Sequence, residues 1–286
     1  MSLLAFAAIA ALAQAPQFDA YAYRRAQPAA FAAELARLRA AWRDGPLFLE
    51  GERLALLILA RDSDSEAQYR RAVAGLAAYR EGLQAKVRDA LAGRHSTEWL
   101  NSRWLNNAAR TRDADARQLF HRVFADQYQL TREAPEEIRE AADARISVDV
   151  RALARANAEW LKTVLPRIGW FDISRYGAEA SQAAWLIVQH ADHDPAWQNE
   201  MLEALRPRVA RGDMQGNYFA YLVDRVAVNA GRPQTYGTQG RCIGPGDWQP
   251  KPLVDPDNLD RRRAEVGLTP IAEYRGRFTC TDGSGL

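Results

Sequence analysis

Between Phe18 and Leu165 apolar residues recur at steps of three and four, and nowhere do they alternate. This period constrains the chain more than any other feature. Without a face presented every second residue no broad sheet can form, whereas successive helical stripes must be buried against one another. Leu35, Leu38 and Trp42 make one stripe, Leu76, Tyr79, Leu83 and Val87 a second, and Leu119, Val123, Phe124 and Tyr128 a third. Breaks fall at Gly45-Pro46, across Asp62-Ser63-Asp64-Ser65, at Gly93, near Thr111-Arg112-Asp113 and at Ala134-Pro135. Ser65 and Thr97 stand where each can cap the helix that follows. The pattern predicts an all-α protein of packed antiparallel helical hairpins with an irregular C-terminal segment. Phe278-Thr279-Cys280 is the most that can pair as a strand, and no fixed repeat marks a solenoid.

The N-terminus carries a different signal. Leu3 to Ala13 is an apolar run too short to span a bilayer, and Ala11-Leu12-Ala13 fits the small-residue rule for leader cleavage before Gln14. Met1-Ser2 supplies only the terminal amine as positive charge. Residues 1–13 therefore read as a signal peptide, 14–143 as a helical region, 144–275 as a second helical domain and 276–286 as a tail. Export to the periplasm or beyond is expected, with no transmembrane segment in the mature chain. Cys242 and Cys280 are the only cysteines. In an oxidising compartment a bridge between them closes a 39-residue segment, worth about 3–4 kcal/mol in the chain-entropy model.

Charge narrows the partners. Lys plus Arg is 38 against Asp plus Glu 36, which lacks the basic footprint of nucleic-acid binding. Only Lys86, Lys162 and Lys251 are lysines, so the cationic groups are guanidinium forks suited to planar, bidentate partners. Arg261-Arg262-Arg263 reads as a solvated face, and His95 and His121 as surface or packing residues.

The polar work is concentrated between Gly177 and Gln239. The helix from Ala178 to about His190 holds six consecutive apolar residues, Ala183 to Val188, and belongs at the centre of the fold. A helix from Val148, stopped by Pro166, precedes it. Gln182 and Gln189 flank Trp185, and polar groups at the end of a buried helix need partners or a ligand. His190 is a proton-transfer candidate or a satisfied core histidine, and a metal ligand with less weight. Asp194-Pro195 reads as the cap and first residue of the next helix, with Asp192 and His193 as outer groups. A third helix runs from a cap at Asn217 to Ala230. Arg225 falls on its aromatic side and requires either an internal carboxylate (Asp172, Asp194 or Glu179) or an anionic ligand. The turn after Gly231 carries Gln234, Thr235, Tyr236, Thr238 and Gln239, which can read a polar ligand while Gly237 lets backbone come close. Asp255-Pro256 opens a further helix that Gly267 stops.

The motifs WLIVQHADHDPAWQ, YLVDRVAVNAGRPQTYGTQ and DNLDRRRAEVGLTPIAEY resemble an uncharacterised bacterial family, domain of unknown function 6624, over about Ala144 to Tyr274. The resemblance implies that Gln189, His190, Asp194, Gln198, Asp224, Arg225, Gln234, Tyr236, Gly237 and Gln239 occupy its motif positions. It brings no activity with it, and the segment RCIGPGDWQPK is longer than the connection the family leads one to expect. His190, Asp224 and Arg225 are the catalytic candidates, and Gln189, Gln198, Gln234, Tyr236 and Gln239 the ligand-binding ones. No cofactor is called for. A metal set of His190, His193 and Asp194, with Asp224, is the weaker version. Two functions stand side by side. One is a hydrolase acting on a polar or anionic small molecule or peptide. The other is a non-catalytic structural or interaction module, favoured by the absence of G-x-S-x-G, a reactive-cysteine context or a phosphate loop.

Overall fold

The computed structural model describes residues 18–44, 50–94, 97–99 and 101–280. The expected leader, the Gly45-Pro46 break, His95 and the end of the tail lie outside them. Apart from one two-stranded hairpin, the described chain is helical and irregular, an all-α architecture with an irregular C-terminal segment. Among the described residues no helix is long and apolar enough to cross a membrane. Two compact units form, the first from residues up to 82 with 133–149, the second from 83–132 with 150 onwards.

In the first unit α1 (Ala20–Ala26), α2 (Pro28–Asp44) and α3 (Gly51–Arg61) pack pairwise, and α4 (Glu66–Leu91) begins. Asp19 caps α1 by accepting from the Ala22 amide at 2.9 Å, and Ser65 caps α4 by accepting from Gln68 at 3.2 Å. Leu54 to Ala60 are seven consecutive buried residues, so α3 is the core of this unit. Full burial of Leu54, Leu57, Ile58 and Leu59 contributes roughly 1.5–3 kcal/mol each. Gly51 is required by proximity, since a Cβ there would lie 2.3 Å from the Ala144 carbonyl oxygen.

The second unit holds α5 (Arg103–Arg110), α6 (Ala114–Leu130) and the later part of α7 (Arg139–Ile168). The one-turn α8 (Ile173–Tyr176), α9 (Ala178–Gln189), α10 (Pro195–Arg211) and α11 (Gly216–Asn229) follow, and then β1 (Gly240–Gly244), β2 (Asp247–Pro250), α12 (Leu259–Glu265) and α13 (Ile271–Arg275). The connection between α5 and α6 is short, and the two pack as a hairpin, as do α10 and α11. Helix α9 packs on α6, α10 and α11, and Ala183, Ala184, Trp185, Ile187 and Val188 are all buried. It is the central helix that its unbroken apolar run implied. Trp185 stacks on Tyr218 of α11 at 4.6 Å between ring centres.

Several local expectations are corrected. Helix α7 starts nine residues before Val148 and runs through Pro166 to Ile168, because a proline in the final turn deletes one hydrogen bond without ending the helix. Gly169, at φ +81°, ends it. Thr97 opens a short 3₁₀ turn, Thr97–Trp99, and the next α-helix begins only after Ser102. Helix α11 begins at Gly216, and the Asn217 side chain accepts from its neighbour's amide inside the first turn. Asp255 does not cap α12, which starts at Leu259; its carboxylate instead accepts from Asn258 and Arg262.

The strands also lie elsewhere. Gly240–Gly244 pairs antiparallel with Asp247–Pro250, while Phe278-Thr279-Cys280 forms no strand. Glycine and proline mask any alternation in this stretch, and tertiary packing supplies what local propensity lacks. Trp248 stacks on Phe278 at 4.5 Å and meets Tyr274 edge-on. Cys242 is bonded to Cys280, with 5.6 Å between their α-carbons, and the Gly246 amide donates to the Cys280 carbonyl. A Cβ on Gly240 would fall 2.1 Å from the Trp248 ring.

Candidate functional site

The corner after α9 is built by hydrogen bonds that leave it one orientation. Asp194 caps α10, accepting from the Trp197 amide at 3.1 Å, and also holds Lys162 at 2.7 Å. The lysine's hydrogen bond, then the Trp197 amide, keep its carboxyl below the usual carboxylate range. Gln198, fully buried, donates back to the Val188 carbonyl at 3.0 Å and to Asp192 at 3.2 Å, tying α10 to the end of α9.

His190 sits at this end with its ring partly open, 23% of the side chain exposed, and its Nδ1 lies 2.8 Å from Oδ2 of Asp126. Asp126, on α6, is only 5% exposed. A buried carboxylate accepts, so Nδ1 carries the proton and the lone pair is left on Nε2, which makes no side-chain hydrogen bond among the described residues. Asp126 is the residue that the sequence reading missed. Its signal was faint but present, because it lies on the buried stripe of Leu119 and Val123, seven and three residues on from them. A carboxylate on a buried stripe needs a partner.

Arg225 does not reach Asp172, Asp194 or Glu179. Its partner is Asp192, which it grips side-on, Nε to Oδ1 at 2.8 Å and Nη2 to Oδ2, while Asn229 donates to the same carboxylate at 2.9 Å. The turn after α9 carries Asp192 against α11, whereas Asp172 is held by Arg208 and Asp194 by Lys162. Asp192 is thus a structural counter-ion and not merely an outer group. Burial pushes its carboxyl up, but the Arg225 hydrogen bonds and charge, with Gln198 and Asn229, bring it below the ordinary value.

The adjacent Asp224 points the other way and is fully buried. Oδ1 accepts from the amides of Thr235 and Tyr236 at 2.8 and 2.9 Å, and Oδ2 from the Thr238 amide and hydroxyl at 2.8 and 2.9 Å. Burial pushes this carboxyl above the usual range, against the lowering by those donors. Gln234, also fully buried, donates to the carbonyls of Gln239 and Lys251 and accepts from the Gln239 amide. Arg262 and Arg263 hold the turn from outside through the Thr235 and Tyr236 carbonyls at 3.0 and 2.5 Å. Only Arg261 of that run is a solvated side chain; Arg263 is fully buried. Gly237, at φ +68°, packs its α-carbon among Leu253, Leu259 and Ile271, so its use is internal. Tyr236 and the Gln239 amide remain partly exposed, and burial raises the Tyr236 hydroxyl.

The predicted residues therefore fall into linked groups: His190 with Asp126, Arg225 with Asp192 and Gln198, and Asp224 with Gln234, Tyr236 and Gln239. Gln189 is buried with its carbonyl oxygen unpartnered. The metal set does not come together, and no group of three or more histidine, cysteine or acidic side chains converges among the described residues. Both ring nitrogens of His193 are buried without partners, and burial lowers its pKa. An open groove of about 650 Å³ runs between the end of α7 and α10, past Lys162, Pro166, Asp194, Trp197 and Arg208, and includes neither His190 nor Arg225.

Residues 117–285 match a family of unknown function, DUF6624. The chain belongs to that family. The match extends on both sides of the motifs, taking in Asp126 at one end and the Cys242–Cys280 hairpin at the other. No curated protein and no solved structure matches the chain.

Proposed function

We propose that the second unit performs acid–base chemistry at His190 on a polar or anionic small molecule or peptide, most simply hydrolysis. The observation that carries this reading is the 2.8 Å contact between Nδ1 of a partly open imidazole and a nearly buried carboxylate. Asp126 orients the ring and stabilises its protonated form, leaving Nε2 free to act. In a hydrolysis, Nε2 takes a proton from water as the water oxygen bonds to the acyl carbon. The leaving group departs with its bonding pair and receives that proton from Nε2. Asp126 and His190 are the catalytic residues in this reading. Arg225 and Asp224 are positioning residues, holding the corner through Asp192 and the turn through its amides.

A panel of p-nitrophenyl acetate, peptide p-nitroanilides and p-nitrophenyl phosphate tests it with purified protein. Turnover by the native chain that falls about 10²–10⁴-fold in His190→Gln, with unchanged melting, supports catalysis. The second reading, a non-catalytic module, is favoured by the saturated hydrogen bonding of Asp224 and Gln234. It prevails if His190→Gln loses stability while the ligand profile and turnover stay as they were.

We also infer export, from the apolar run before Gln14 and the bonded cysteines. N-terminal sequencing of protein from the periplasm should begin at Gln14. An intact Met1 or Ser2 start with two free thiols overturns this.

A further inference from the structure

The second unit contains a guanidinium whose binding edge is unmatched. Arg122, on α6, lies 4.8 Å from the centre of the Trp160 ring and donates from Nη1 to Asn157 Oδ1 at 3.1 Å. Its Nε is buried without a partner, and among the described residues it meets no carboxylate. Elsewhere in this chain several arginines turn that Nε–Nη2 edge on a carboxylate. Arg39 takes Glu140 side-on at 2.7 and 2.5 Å, Arg53 takes Glu34 at 2.5 and 3.1 Å, Arg80 takes Asp149 at 2.7 and 2.9 Å, and Arg225 takes Asp192 in the same way. A two-point fork of this shape matches the two oxygens of a carboxylate.

The surroundings repeat the demand for a ligand. Asn157 is 1% exposed, and its Nδ2 is buried without an acceptor. Its orientation is fixed, since turning the amide would set Nδ2 against the Arg122 donor. Gln129 is 2% exposed with both amide atoms unpartnered. Arg122, Asp126 and Gln129 stand at i, i+4 and i+7 on α6, so all three share the face that carries the His190 contact. Burial alone lowers the Arg122 pKa to about 10, as expected of a guanidinium with no anion beside it.

We propose that the Nε–Nη2 edge of Arg122, backed by Asn157 and Trp160, is a carboxylate-binding site one helical turn from Asp126. Assigning that carboxylate to the substrate rests on the His190 reading; the binding itself does not. The ligand is then an organic acid or a peptide with a free carboxylate that places its reactive bond towards Nε2 of His190.

Succinate is the probe, titrated into the whole protein while the arginine Nε–H resonances are followed by NMR. The Arg122 signal is identified by its loss in Arg122→Lys. A saturable succinate shift of that resonance is expected in the native chain, and calorimetric titration should show affinity at least about tenfold weaker in Arg122→Lys, which keeps the charge but not the fork. In Arg122→Met binding should vanish without a lower melting temperature, because a buried charge lacking its counter-ion contributes little to stability. His190→Gln should bind succinate as the native chain does. No shift, equal binding by Arg122→Met, tighter binding of inorganic phosphate than of succinate, or a marked loss of melting temperature in Arg122→Met each overturns the assignment. Succinate binding together with undiminished turnover in His190→Gln leaves the site standing and removes the catalytic reading alone.

Discussion

Replacing Asp224 by Asn is the sharpest test of what the Asp-Arg pair does. The exchange keeps volume and shape and removes only half of the acceptor capacity. Native Oδ1 and Oδ2 each accept two bonds, from the Thr235 and Tyr236 amides and from the Thr238 amide and hydroxyl. The asparagine oxygen can keep one pair, while its amide group faces the other pair donor to donor. Two bonds are lost, at about 1–3 kcal/mol for each buried donor left unsatisfied, giving roughly 2–6 kcal/mol. Burial opposes the native charge and raises this carboxyl, so a neutral side chain recovers part of the loss, which places the net change at about 2–3 kcal/mol. Gln234, Arg262, Arg263 and Tyr274 also hold the turn, but its amide donors converge on this one carboxylate, so the change should appear as local opening. Hydrogen exchange over residues 234–239 should accelerate about 30- to 150-fold, and the urea midpoint should fall. Unchanged protection there refutes the claim that this carboxylate organises the turn. Lost turnover with the turn still protected would return Asp224 to the catalytic residues.

Other outcomes follow from single contacts. Asp194→Ala should cost about 1 kcal/mol at neutral pH through loss of the α10 cap. Because Lys162 and the Trp197 amide depress this carboxyl below its unfolded value of 3.8, its stabilisation is complete above that value and disappears as pH falls through the lower folded one. Urea midpoints of native and variant protein should therefore converge in acid. Gly240→Ala should collapse the hairpin, seen as a shift of Trp248 fluorescence, since the added carbon meets the ring at 2.1 Å and the Gln249 carbonyl at 2.5 Å; unaltered emission and melting would refute it. Reducing Cys242–Cys280 should cost about 3–4 kcal/mol in the chain-entropy model, measured by denaturation with and without reductant. Gly237→Ala, at φ +68° with side chains already 3.4 Å away, should cost at least about 1–2 kcal/mol in thermal melts.

Much was legible in the chain itself. The three- and four-residue stripes named Leu119, Val123, Phe124 and Tyr128 as buried, and they are. Six apolar residues in a row placed α9 at the centre, and Asp-Pro located the start of α10. These readings succeed because helical period and capping depend on neighbours within four residues, so the sequence states them directly. The hairpin escaped because its stability comes from Trp248, Phe278 and the Cys242–Cys280 bond, all contacts from distant positions.

Choice of partner is where sequence reasoning stopped. It showed that Arg225 required an internal carboxylate or an anionic ligand and that His190 sat at the end of a buried helix, and it grouped both with the turn. It could not choose Asp192 over Asp172, or see Asp126 coming from 64 positions away. Nor could it tell that Arg263 was interior while Arg261 was wet. Hydrogen bonds between positions distant in the chain are decided by which faces of α6, α9 and α11 meet, and that is set by summed packing over the whole unit. The residue types and local elements of this site are therefore properties of the sequence, while the pairing that leaves His190 open and Asp224 enclosed belongs to the tertiary structure alone.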